Sequence, residues 1–283
     1  MVALAAGSCL APRRPAEGAV EPEPPEISTS TPFTGDKFVW PPGKRAAVSL
    51  TYDDALTSQL DHALPALAGH HLRGTFFITD IAKNDDRWKS VVARGHELAA
   101  HTMLHPCDAA QGWVKKGNAL QDYDMKRMEA ELVENIALLK SLGAKREPFT
   151  FAYPCGSTWI GSSYESYTPL VRRYFAAARG TAPTFAVPET ESFDNAPAVS
   201  GDKSAAELVK LVEGAVEDHA WLILMFHGVG GDFMTVSDDA HEALLVYLEK
   251  HKDSIWTDTF VRVSSYVVSH RPTLGPADAG GGG

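Results

Sequence analysis

From about Phe38 onward, short apolar runs alternate with amphipathic stretches of helical period, and this alternation restricts the fold more than any other feature of the chain. Ala46–Tyr52, Gly74–Thr79, Glu97–Ala100, Phe149–Tyr153, Phe175–Ala178 and Trp221–Phe226 read as strands. Between them, Leu60, Leu64 and Leu67 mark one helical face, and Trp88, Val91 and Val92 mark a short helix. The longest helix runs from Met125 to Leu142, with Met128, Leu132, Ile136 and Leu139 on one stripe and Gly143 as its stop. Tyr164–Tyr174, Ala205–His219 and Asp239–His251 read as further helices, with a last one after Phe260 and Trp256–Thr259 as a link. Pro183 to Asp202 shows no regular period. Strand–helix alternation implies a parallel sheet covered by helices. Six or seven such units, with polar chemistry at several strand ends, favour a closed or nearly closed barrel over a doubly wound sheet.

The 283 residues suit one α/β barrel of roughly 250 residues, and an apolar content of 44% supplies its core. The net charge of −10 argues against a nucleic-acid partner, which needs a basic face. No apolar run approaches the ~20 residues of a membrane span. Residues 1–35 are rich in Ala, Pro and Glu and read as a linker, because such a composition buries too little to offset its ordering entropy. Met1–Cys9 looks like the tail of an export signal ending at a lipid-accepting cysteine. The expected organisation is a signal remnant and linker over 1–37, one folded domain over 38–271 and a flexible tail over 272–283, with the protein outside the cytoplasm. Oligomeric state is not readable. Three cysteines, Cys9, Cys107 and Cys155, are too few for a disulfide framework or a cysteine zinc knot. Cys107 and Cys155 both lie beside motif residues; their pairing stays open, with the balance against a bridge, because spacing carries no geometry.

The adjacent carboxylates Asp53 and Asp54, directly after the first strand, repel each other and need a metal, a proton or cationic neighbours. Alone they would read as a turn capping the next helix. His101 and His105 are four residues apart, which on a helix or a tight helical turn puts both imidazoles on one side, able to grip one divalent cation. With Asp54 they make a two-histidine, one-carboxylate set that leaves positions open for water and substrate. Asp53 is then free to act as a base. The reverse assignment, Asp53 as ligand and Asp54 as cap, remains open. His227 closes a buried strand ahead of Gly228, Gly230 and Gly231, and is the candidate acid facing that base. The turn Tyr153-Pro154-Cys155-Gly156 can present the Cys155 amide to a developing oxyanion.

These residues match a known pattern. The chain resembles polysaccharide deacetylases with the NodB homology domain, carbohydrate esterase family 4. Thr51-Tyr52-Asp53-Asp54 is similar to the family's first motif, whose first Asp is the base and whose second binds metal. His101-Thr102-Met103-Leu104-His105-Pro106 resembles its H-[ST]-x-x-H-P motif, the other two metal ligands. Phe151–Gly156 resembles the third motif, and Leu224–His227 the last, which carries the acid. The resemblance implies an α/β fold that is an irregular, TIM-like (β/α) barrel with about seven parallel strands. It implies a Zn2+ ion, or Co2+ or Ni2+ in its place, and removal of acetyl groups from an acetylated poly- or oligosaccharide, an N-acetylglucosamine polymer or oligomer before acetylated xylan. The alternatives are an O-acetyl esterase, another small-amide hydrolase or an inactive glycan-binding relative. Two positions depart from the pattern. Ala152 stands where many members carry an Arg that steadies the base, and Arg179 is the candidate to replace it. The Asp-x-x-Asp-Trp segment that orients the acid histidine is not recognisable; Asp194 is the nearest candidate. The role of Tyr153 stays open.

Overall fold

The computed structural model describes residues 37–144 and 148–271. The expected linker with Cys9, and the expected C-terminal tail, lie outside them. Among the described residues, ten strands and six α-helices follow in the order β1 (Ala46–Asp53), α1 (Leu64–Gly69), β2 (Gly74–Ile78), β3 (Glu97–Ala100), α2 (Met125–Ser141), β4 (Thr150–Ala152), β5 (Trp159–Ile160), β6 (Glu165–Ser166), α3 (Thr168–Tyr174), β7 (Ala177–Arg179), β8 (Val199–Ser200), α4 (Ala205–Glu217), β9 (Trp221–Phe226), α5 (Asp238–Lys250), β10 (Ile255–Thr257) and α6 (Phe260–His270).

Every residue of β1 is buried, as a strand flanked on both sides and covered on both faces must be. The main sheet runs β7-β4-β3-β2-β1-β9-β8, all parallel, with β10 pairing the first half of β1. The sheet curls, and residues 196–200 reach both of its edges. Ala196 exchanges hydrogen bonds with the β7 side, accepting from Gly180 N–H at 2.9 Å and donating to Ala178 C=O at 2.8 Å. Val199 and Ser200 pair with β9. This is the seven-stranded irregular (β/α) barrel that the strand–helix alternation anticipates.

Strand alternation sorts the side chains into two cores. Val48, Leu50, Tyr52, Phe76, Ile78, Leu222 and Leu224 point outward under the helices. Ala47, Phe77, Ala99, Ala152, Ala177, Trp221 and Ile223 point inward, and small residues on β3, β4 and β7 let so short a ring close. Helix α6 packs on this inner cluster at the strand beginnings: Phe260 stacks on Trp221 with ring centroids 5.2 Å apart, and the Val261 N–H donates to the Glu97 carboxylate at 2.9 Å. Asp53, Arg179 and Ala152 share the inward parity, and His101 and His227 continue it one residue beyond their strands.

Three expected elements differ. Tyr164–Tyr174 is not one helix, because residues 159–166 form a small antiparallel hairpin and the helix begins only at Thr168, with Pro169 in its first turn. The first half of Trp256–Thr259 belongs to strand β10 and only Asp258 and Thr259 link it to the last helix. The stretch around Trp88 is a run of 3-10 turns.

Two buried histidines, His96 and His241, set an acid limit on this fold. His241 accepts a hydrogen bond from, or donates one to, the Tyr52 hydroxyl at 2.8 Å, and His96 Nδ1 accepts from the Gly74 N–H at 3.1 Å. Burial pushes both imidazoles down to about 4, and for His96 the nearby Arg94 and Arg73 add to it. Unfolded histidine protonates near pH ~6.5, so below that the unfolded chain binds protons that the folded chain refuses. Stability is therefore fully present above that value and is lost as pH falls toward 4. Glu97, whose carboxyl burial raises to about 7, works in the opposite sense over the upper part of the window. A comparison of variants isolates the histidine: urea unfolding of His241→Gln should show a flatter loss of stability between pH ~6.5 and 4 than the parent chain. Equal slopes would contradict the assignment.

Candidate active site

Asp53 ends β1 and the chain then leaves the strand sharply: Asp54 and Ala55 both have left-handed backbones, with φ of 76° and 57°. Both carboxylates reach His101 Nε2, Asp53 Oδ2 at 3.9 Å and Asp54 Oδ1 at 3.5 Å, but their other partners differ. Asp53 points inward to Arg179, whose NH2 group donates to its Oδ1. Arg179 is itself fully buried (0% exposed), with its guanidinium 4.5 Å over the Phe77 ring. Burial alone would raise the Asp53 carboxyl, but Arg179, His101 and His227 together hold it below the usual carboxylate range. The register explains how Arg179 gets there: it is the direct partner of Ala152 across β4 and β7, so its long side chain enters from the neighbouring strand.

Asp54 meets the histidines. His101 Nε2 lies 3.5 Å and His105 Nε2 3.3 Å from Asp54 Oδ1, and His227 Nε2 lies 3.8 Å from Oδ2. One ligand atom from each of Asp54, His101 and His105 fits within a 4.8 Å span. Burial and the Asp53 charge push the Asp54 carboxyl up to about 7, while burial pushes His101 down to about 3 and also lowers His105. Two neutral imidazoles and a buried carboxylate short of positive charge form a donor set that suits a divalent cation. His101 Nδ1 lies 2.8 Å from the Ala152 carbonyl, an acceptor that fixes the ring with Nε2 free toward Asp54. A second group, His105, Cys107 and Cys155, is equally compact, but its two sulfurs are joined as a disulfide and offer no thiolate.

A family description of polysaccharide deacetylases matches residues 41–173, a stretch that holds Asp53, Asp54, His101, His105 and the Cys155 turn. Over that stretch the chain matches the polysaccharide deacetylase family. Among solved structures, its fold is similar to that of a polysaccharide deacetylase from Mycobacterium smegmatis, at TM-score 0.56 and 15% identity, covering 88% of this chain and 99% of that one. It is similar as well to the catalytic domain of a peptidoglycan N-acetylglucosamine deacetylase from Eubacterium rectale, at TM-score 0.54 and 19% identity, covering 80% and 94%. A gellan lyase from a Bacillus species is 25% identical over 256 residues, which is 81% of this chain and 10% of that protein. The chain thus spans about a tenth of the length of that curated relative.

The segment that carries the two histidines is not itself helical. His101 and His105 converge through a loop in which Thr102 and His105 have positive φ, 60° and 49°, and the His105 N–H donates to Thr102 Oγ1 at 3.1 Å. Helix α2 braces that loop. Asn135 accepts from the His101 N–H at 3.0 Å, and Glu131 accepts from the Met103 and Leu104 N–H groups at 2.8 and 2.9 Å. Both are buried polar residues four apart on the apolar side of a helix, and that was the available signal in the sequence. The Cys107–Cys155 disulfide, against which the sequence weighed, ties the segment after His105 to the Cys155 turn. Asp194 does not orient His227; it pairs with Arg172 at the surface.

Sequence reasoning also missed Gln59. Its buried Nε2 donates to the Asp53 carbonyl at 2.5 Å and to the His227 carbonyl at 3.0 Å, which ties the ends of β1 and β9 together. Gln59→Leu leaves both carbonyls without this donor and should lower kcat roughly tenfold with little change in KM, because alignment of the two strand ends is lost. Unchanged kcat in a variant that folds normally would remove Gln59 from the machinery.

Proposed function

We propose that the chain is a metal-dependent hydrolase that removes acetyl groups from an acetylated glycan, with an N-acetylglucosamine polymer or oligomer as the substrate class. One observation carries the reading: a compact Asp54–His101–His105 donor set has a charged, Arg179-paired carboxylate on one side and an imidazole, His227, on the other. Asp54, His101 and His105 would hold the ion, Zn2+ or another divalent cation such as Co2+ or Ni2+. When bound, such a cation supplies charge that polarises an acetyl carbonyl and makes water more acidic.

The chain's own groups do the rest. Asp53 takes a proton from the attacking water, and it stays ionised for that task because Arg179 faces it. His227, across Asp54 from His105, delivers a proton to the departing nitrogen. The Cys155 amide, in a turn held to the His105 segment by the disulfide, is the proposed donor to the developing oxyanion. Arg179 is a positioning residue in this scheme. Arg179→Ala should lower kcat by about 10–100-fold while metal affinity changes less, read by acetate release beside metal titration. A variant with full activity would sink the assignment.

The folded domain over 38–271 is the catalytic unit in this reading. A location outside the cytoplasm suits both a polymeric glycan and a standing disulfide. Acetate release from chitin oligomers, peptidoglycan and acetylated xylan, with and without chelator, tests the whole reading. Release from the N-acetylated glycans that chelator stops supports it. Release from xylan alone indicates an O-acetyl esterase, and release from none of the three by metal-loaded protein indicates a glycan-binding relative without turnover.

A further inference from the structure

We propose that Trp113 and Phe233 are stacking platforms for the two sugar rings that flank the unit being deacetylated, so that the site takes an internal unit of a glycan chain; this rests on the reading above. His105 and His227 approach the two different oxygens of the Asp54 carboxylate, and so stand on either side of it. Each carries an aromatic neighbour. The Trp113 ring centroid is 6.1 Å from that of His105, tilted by 35°, and the Phe233 centroid is 5.7 Å from that of His227, tilted by 45°. Trp113 is 59% exposed and Phe233 52%, in company with the exposed Leu104 and Met234.

Single exposed apolar residues need no explanation. Two large rings placed beside the two imidazoles of one polar centre are a different matter. A pyranose ring presents a face of C–H groups and keeps its hydroxyls at the rim, so it packs on an aromatic face while its polar edge stays in water. Neither ring sits on a loose loop. The Asn118 side chain donates to the Leu104 carbonyl at 2.8 Å across the base of the Trp113 loop, next to the disulfide at Cys107. The Phe233 loop folds back on itself, with Gly228 N–H donating to the Phe233 carbonyl at 3.1 Å and Asp232 accepting from the Ser58 N–H at 2.8 Å. A Cβ on Gly228 would lie 2.0 Å from the Gly231 carbonyl oxygen, so that return requires glycine. Platforms held in place before binding lose little entropy when sugar arrives.

The test compares N-acetylglucosamine with its pentamer in the metal-loaded protein and in Trp113→Ala, Trp113→Phe, Phe233→Ala and Phe233→Tyr. The parent chain should prefer the pentamer in kcat/KM by on the order of a hundredfold, and each alanine variant should cut that ratio roughly tenfold, mainly through KM. The aromatic replacements should restore most of it, and mass analysis should find the first acetyl group lost from an internal unit. A ratio unchanged in both alanine variants, or first loss from a terminal unit, overturns the proposal and leaves the deacetylase reading intact. If neither substrate releases acetate, that reading fails instead. Pentamer binding, read by tryptophan fluorescence, then decides the platforms: weaker binding in Trp113→Ala and Phe233→Ala supports them, and equal binding overturns them.

Discussion

Asp53→Asn should lower kcat by ~10²–10⁴ while the bound metal content stays close to that of the parent chain. The split follows from the left-handed turn at Asp54, after which Asp54 meets both His101 and His105 at 3.5 and 3.3 Å while Asp53 pairs with Arg179. The substitution keeps the shape and removes the charge that Arg179 faces. A fully buried guanidinium without its counter-charge is expensive, so stability should fall as well, by about 3–5 kcal/mol. Activity therefore has to be measured on folded protein well below the unfolding midpoint. The double variant Asp53→Asn with Arg179→Met removes the stranded charge and should regain stability without regaining rate. If metal leaves together with activity in Asp53→Asn, the roles of the two carboxylates are exchanged, and Asp53 is the ligand.

The second large effect is at His101. His101→Ala removes one of the three proposed ligands and the imidazole that bridges Asp54 to the Ala152 carbonyl. Metal affinity should fall by at least 10²-fold and acetate release with it, because losing even a group that only supports a metal ligand costs 10–100-fold. The fall should be partly recovered at high added metal. Retention of full affinity would mean that the ion, if one binds, sits elsewhere.

The barrel was legible because parallel strands buried on both faces read as unbroken apolar runs, of which Trp221–Phe226 is the plainest. What the runs did not show was which face pointed inward, yet the period of two that carries Asp53 and His227 into the barrel is present in the same residues. The hairpin at 159–166 was invisible because two-residue strands have no period to detect. The convergence of His101 and His105 was anticipated for a reason that does not hold. A spacing of four suggested a helical turn, whereas Thr102 and His105 adopt left-handed conformations that no non-glycine residue advertises. Arg179 was accessible only by asking what could stand in for the residue missing at Ala152, and the β4–β7 register supplies the physical answer. The disulfide joins residues separated by 48 positions, and nothing local in either segment encodes such a contact.

The proposed chemistry requires one ion held by Asp54, His101 and His105. Titration of the metal-free chain with Co2+, followed by its visible absorption, tests this most directly. The expected result is one ion per chain with bands of nitrogen and oxygen coordination, abolished in Asp54→Ala. An Asp54→Ala chain that binds one Co2+ with unchanged affinity and spectrum would contradict it.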